Sequence, residues 1–144
     1  MQPTLALIPK EFLERMEERP TAIILFAHGS AVPEANQQVA RLAEEISCRT
    51  QCTVGCAFLE MAQPDLSAAV AVAAGARAQR IVVIPYFLTM GVHILNDLPR
   101  LVEQQRTLFP GVEFLIGQSL EGHPGMAELI VNRVREVLPE GSKL

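Results

Sequence analysis

Four short apolar runs, each separated from the next by a stretch of helical periodicity, constrain most strongly what this 144-residue chain folds into. The first, "TAIILFAH", is rich in β-formers and bounded by Pro20 and Gly29, so it reads as a strand. "PEANQQVARLAEEISCRT" follows, with Val39, Leu42, Ala43 and Ile46 on one face of a helix opened by Pro33 and Glu34. "TVGCAFLE" is the second strand. "PDLSAAVAVAAGARA" is an Ala-rich helix that Pro64 and Asp65 start and Gly75 interrupts or ends. "RIVVIPYFL" is apolar on both faces, as a central parallel strand should be. "LNDLPRLVEQQRTLF" reads as a helix capped by Asn96 or Asp97, with Leu98, Leu101, Val102 and Leu108 inward. "GVEFLIGQ" and "HPGMAELIVNRVREVL" supply a fourth strand and a last helix.

Strand–helix alternation with short connections predicts an α/β fold, a four-stranded parallel sheet with helices on both faces. "IPKEFLERMEERP" reads as an extra helix outside that core. The expected division is a helical extension over residues 1–20 and one α/β domain over 21–144. With 49% apolar and 19% charged residues, the chain is globular in composition. Its longest apolar stretch, Ile81 to Leu95, is broken by Pro85 and His93 and falls short of the roughly 20 residues that span a bilayer. The N-terminus lacks the basic start and long apolar run of a secretory signal, so a cytoplasmic protein with no membrane partner is expected. A net charge of −4, no Trp and one Tyr leave no platform for nucleic acid.

Cys48, Cys52 and Cys56 recur every four residues and invite a metal reading. A strand over 53–60 would hold Cys52 and Cys56 roughly 13 Å apart. One zinc needs its thiolates about 2.3 Å away. Free, buried or half-buried thiols in a reducing compartment are therefore expected.

Parallel sheets place ligands beyond the carboxyl ends of their strands, where strand order reverses. The residues leaving the four runs include His28, Gly29 and Ser30; Glu60, Met61 and Gln63; Thr89, Gly91 and His93; and Gln118, Ser119, Glu121 and His123. All three histidines fall on this one edge. A lone histidine at a strand end is ordinarily a surface or capping residue. Two at equivalent positions, each near a glycine and joined by a carboxylate, point to chemistry. Imidazole suits Fe, Co, Ni and Zn as a ligand and exchanges protons near neutral pH. Gly29 and Gly91 leave room for a sharp turn or a flat ligand. "HGS" lacks the G-x-S-x-G context of a serine hydrolase, and "HGSAVPEAN" is neither of the Gly-rich phosphate loops.

"LFAHGS", "AFLEMAQPDL", "VVIPYFLTMGVHILNDLP" and "GHP", in that order and spacing, resemble the CbiX/SirB group of class II tetrapyrrole chelatases. The resemblance covers about residues 21–138, and the third motif is its most specific part. It implies a chelatase-like (flavodoxin-like) three-layer domain that inserts Co²⁺ or Fe²⁺, with Ni²⁺ a further metal to test, into sirohydrochlorin. It also implies no organic cofactor and, for a chain of this length, a homodimer. His28, His93 and Glu60 would serve as catalytic and metal-binding residues. Gly29, Ser30, Phe87, Leu88, Thr89, Met90, Gly91 and Val92 would line the tetrapyrrole site. The chain departs from the pattern with Ala31 in place of a common basic residue and Asn96 in place of a common acid. The alternative is a non-catalytic metal or tetrapyrrole carrier of the same fold.

Overall fold

The structure, a computed structural model, describes residues 9–10 and 19–144. Strands β1 (Thr21–Ala27), β2 (Thr53–Phe58), β3 (Arg80–Pro85) and β4 (Glu113–Ile116) alternate with helices α1 (Pro33–Thr50), α2 (Leu66–Gly75), α3 (Val92–Leu108) and α4 (Gly125–Val137). The four strands form one sheet in the order β2-β1-β3-β4, and every pairing is parallel. The expected N-terminal helix over residues 8–20 falls largely outside the described residues. No described helix is long and apolar enough to cross a membrane.

Alternation along β1 sorts the core into two layers. Ala22, Ile24 and Phe26 point to one face with Ile81, Val83 and Phe114, where α2 contributes Val70 and α3 contributes Leu98 and Val102. Leu25 and Ala27 point to the other face and meet Val39 and Ala43 of α1. β1, flanked on both sides, is buried from Ile24 to Ala27. β3 is less enclosed than its sequence suggests: Ile81, Val83 and Pro85 are buried, while Val82 and Ile84 are half-buried.

The helix limits follow local chemistry with one exception. α1 starts at Pro33, and α2 is capped by Asp65, whose carboxylate accepts the Ala68 N–H at 2.9 Å. α2 ends at Gly75, one of the two outcomes expected there. α3 begins earlier than its Asn-Asp-Leu-Pro signal suggests, at Val92 after Gly91. Asn96 and Asp97 therefore lie within the helix rather than capping it, and so does Pro99. Proline has no N–H to give to the carbonyl four residues back, so the ladder loses one bond there. Burial of Leu98 and Val102 on the sheet offsets that loss.

The amino edge of the sheet is tied by ions. Glu113 faces Arg80 in the β3–β4 register and accepts from its Nε at 2.7 Å and from Arg19 Nη1 at 3.2 Å. The Arg80 hydrogen bond, with the charge of both guanidinium groups, holds the Glu113 carboxyl below its usual range. A depressed pKa contributes stability above the unfolded-state value and loses it as pH falls through the folded one. Glu113→Gln should therefore flatten the acid limb of a stability-against-pH curve below about pH 4.5 and lower stability near neutrality, where the ionised carboxylate contributes in full. Urea unfolding across that range measures it, and an unchanged acid limb would contradict the assignment.

Candidate functional site

The parallel ladder between β1 and β2 continues past both strands. Leu59 N–H donates to Ala27 O at 2.9 Å and Glu60 N–H donates to His28 O at 3.0 Å. These bonds bring the first residue after β1 beside the second residue after β2. His28 Nε2 lies 3.2 Å from Glu60 Oε1, with the side chains 53% and 58% exposed. Gly29, next in the chain, has φ +92°, and a Cβ built on it would stand 1.8 Å from the Glu60 carbonyl oxygen. Only glycine fits this crossing.

His28 Nδ1 is 3.2 Å from the Gly29 carbonyl oxygen, which can only accept. Glu60 likewise only accepts, so the two contacts compete for the ring proton; with a metal at Nε2, the Gly29 carbonyl would hold that proton on Nδ1. Donors 3.2 Å apart fit one ion with bonds of about 2.1 Å at an angle of about 100°. The pair could supply two donors to a divalent metal and is open to solvent on its other side.

Ser30 is held from both sides by an α1 residue absent from the sequence-based site. Its N–H donates to Asn36 Oδ1 at 2.9 Å, and its carbonyl accepts from Asn36 Nδ2 at 2.8 Å. The Ser30 hydroxyl accepts the Val32 N–H at 3.0 Å, so it shapes the turn into α1. The signal for Asn36 was available: a two-sided amide in the first turn of the helix that follows "HGS". Its reach depends on the turn's path, which sequence does not specify.

The expected tetrapyrrole-lining residues divide. Phe87 turns inward and packs edge-on against Phe26, with ring centroids 6.2 Å apart. Leu88 and Val92 are exposed apolar groups at the sheet's carboxyl edge, as is Met61 from the loop after β2. Thr89 and Gly91 are exposed, and Met90 is half-buried. Met90 N–H donates to Glu121 Oε2 at 3.2 Å, tying the loop after β3 to the loop after β4.

His93 sits in the first turn of α3, exposed. Among the described residues, no three His, Cys, Asp or Glu side chains lie close enough to hold one ion. The structure thus joins His28 to Glu60 and keeps His93 outside any three-ligand group. His123 faces its own backbone, where Nδ1 accepts the Gly125 N–H at 2.9 Å at the start of α4.

A cavity of about 590 Å³ opens beyond β3 and β4, with Met90, Ile94, Leu98, Ile116 and Glu121 among its walls. It begins one residue past His93 but includes neither His28 nor Glu60. The imidazole and carboxylate of the donor pair are group types that can ligate a divalent metal. Cys48 is exposed, contrary to the expectation of buried thiols, while Cys52 and Cys56 are half-buried. Burial pushes the Cys56 thiol up, away from the thiolate a metal would require.

A family model for CbiX matches residues 22–137. A sirohydrochlorin cobaltochelatase from Methanopyrus kandleri is 29% identical over 140 residues, covering 83% of this chain and 98% of its own. The crystal structure of a CbiX protein from Marinobacter aquaeolei VT8 superposes with a TM-score of 0.72 at 29% identity, over 81% of this chain and 96% of that one. The sirohydrochlorin chelatase SirB from Bacillus subtilis subspecies spizizenii, solved with cobalt, shares the fold at a TM-score of 0.74 and 22% identity. This chain covers 50% of SirB's length.

Gly29→Ala should lower stability by about 1–3 kcal/mol, because both its positive φ and the Glu60 carbonyl oppose a Cβ. Urea unfolding measures the loss. A variant as stable as the parent, with Co²⁺ binding intact, would show that the crossing tolerates a side chain.

Proposed function

This chain belongs to the CbiX family, and on that premise we propose that it is a sirohydrochlorin chelatase, a lyase inserting Co²⁺ or Fe²⁺ into the macrocycle. The observation that carries the reading is the His28–Glu60 donor pair, fixed at the carboxyl edge by continuation of the β1–β2 ladder. Strand order reverses around β1: β2 lies on one side, and β3 and β4 lie on the other. A ligand crevice belongs at that point. Glu60 leaves the strand on one side of β1, and His93 follows the strand on the other.

Insertion exchanges two pyrrole protons for one divalent ion. Neutral His28, with its proton on Nδ1, offers Nε2 to the incoming metal, and Glu60 supplies a charged oxygen beside it. His93 takes a ring proton as general base. His28 takes the second once the ion has left Nε2. Two protons thus reach two imidazoles while the metal passes from N/O donors to four ring nitrogens. Exposed Leu88, Val92 and Met61 offer an apolar surface to the flat ring. Gly29 and Gly91 keep side chains from its path, and Thr89 and Met90 border it. Ser30, clamped by Asn36, acts through the path of the turn.

The reaction needs no organic cofactor, since metal and tetrapyrrole are both substrates. The protein works in the cytoplasm as a homodimer and serves cobalamin or sirohaem biosynthesis. The half-length match to SirB supports two copies standing for the two halves of a longer chelatase.

Anaerobic mixing with sirohydrochlorin and Co²⁺, followed by absorbance, tests the reading, and repetition with Fe²⁺ and Ni²⁺ ranks the metals. His28→Ala and His93→Ala should each lower kcat by about a hundredfold with unchanged circular dichroism. Turnover at the parent rate in either variant would remove that residue from the mechanism. Glu60→Gln should raise the KM for metal more than the Kd for sirohydrochlorin; the reverse order would reassign Glu60 to the ring. A spectrum shifted by binding, with insertion no faster than without protein, would make the chain a carrier.

A further inference from the structure

The inward stripe of α3 carries an anomaly. Leu98, Val102 and Gln105 fall at i, i+4 and i+7 and are 2%, 0% and 4% exposed. The first two are apolar, as a core stripe requires, and the third is an amide. Gln105 Oε1 is shut off from solvent and has no hydrogen-bond partner among the described residues. A carbonyl oxygen so placed has lost water without recovering a hydrogen bond, a cost that leucine would avoid.

Gln105 lines a cavity of about 380 Å³ between α2 and α3. Phe26, Phe58 and Leu66 give the cavity apolar walls, and Asp65, Asp97 and Arg100 give it charged ones. It shares no residue with the cavity beyond β3 and β4 or with the His28–Glu60 pair. Water alone fills such a space poorly, because each buried molecule needs several polar partners and the apolar walls offer none.

The charges set the sign of a ligand. Arg100 Nη2 lies 3.6 Å from Asp97 Oδ1, so these two side chains offset each other. Asp65 gives Oδ1 to the Ala68 N–H at 2.9 Å, and its second oxygen has no hydrogen bond among the described residues. One carboxylate thus stands in excess, and the orphan at Gln105 is an acceptor. Both call for a cationic donor. An anion would answer Arg100 but face two carboxylates and leave Gln105 unpaired. A divalent ion fits little better, since among the described residues no three acidic, histidine or cysteine groups converge.

The spacing sets the ligand's length. Asp97 and Gln105 are eight residues apart on α3, about 12 Å along its axis. Leu101 lies midway and lines the same cavity. A single ammonium cannot serve both ends. Two donors joined by an aliphatic chain can.

We propose that the groove between α2 and α3 binds a short aliphatic diamine. One ammonium lies at the Asp65 and Asp97 carboxylates, and the other donates to Gln105 Oε1. The terminal torsion of glutamine is soft, so a small turn brings this oxygen to the donor. Leu66, Leu101 and Phe58 cover the carbons between the two nitrogens.

The site is independent of the chelatase reading, and so is its test. Full-length protein labelled with nitrogen-15 is titrated with 1,4-diaminobutane and followed by NMR and calorimetry. Saturable binding that moves the Gln105 side-chain amide signals is expected, at least about tenfold tighter than binding of 1-aminobutane. Gln105→Leu should weaken diamine binding at least about tenfold and raise the urea midpoint of the free protein, because the orphan oxygen is gone. Asp97→Asn should weaken binding by a similar factor with unchanged circular dichroism. Absence of saturable binding at millimolar diamine would overturn the proposal, as would parental affinity in the Gln105→Leu variant. Tighter binding of butanoate or Mg²⁺ than of the diamine would overturn it as well.

Discussion

The register of β1 against its two neighbours is the constraint on which the rest of the molecule depends. Parallel pairing sets Ala27 opposite Phe58 on one side and Phe26 opposite Pro85 on the other. Because the ladder with β2 runs on through Leu59 and Glu60, backbone hydrogen bonds place the imidazole and carboxylate side by side. A one-residue slip would turn every side chain of β1 to the opposite face, so hydrophobic burial in both layers enforces the register. The placement of His28 beside Glu60 is in this sense a by-product of the core. Gly29 is the local concession, since the chain must pass under the Glu60 carbonyl without a Cβ.

The two edges of the sheet divide the electrostatic work. At the amino edge, Glu113 joins Arg80 and Arg19 in a three-residue ion cluster that secures the outermost strand pair. At the carboxyl edge, His28 and Glu60 are more than half exposed, and an exposed ion pair contributes little to stability. The apolar Leu88, Val92 and Met61 are exposed on the same edge. The loops after β3 and β4 are braced to each other through Met90 and Glu121, so His93 rises from a supported segment.

Exposure of apolar and donor groups is the other property that unites these features. The His28–Glu60 pair is open to solvent, the cavity beyond β3 and β4 includes neither of its residues, and the last helix has no buried residue.

Much of this was legible in the sequence. Strand–helix alternation gave the order of elements and the parallel sheet, and α1 occupies the span its periodicity and Pro33 mark out. His28 and Glu60 were identifiable because a residue leaving a parallel strand must appear at the carboxyl edge. Tertiary structure decided what depends on neighbours distant in the chain. Burial of Leu98 and Val102 carries α3 through Pro99 and puts His93 inside a helix. Phe87 turns in because Phe26 offers its ring, and Asn36 reaches Ser30 because the turn between them folds back. The stripe on α4 says that the helix is covered, but periodicity records only that a face is apolar. No residue of α4 is buried in the structure, because hydrophobic attraction has no direction of its own and the anchored exit from β4 sets the path of the helix.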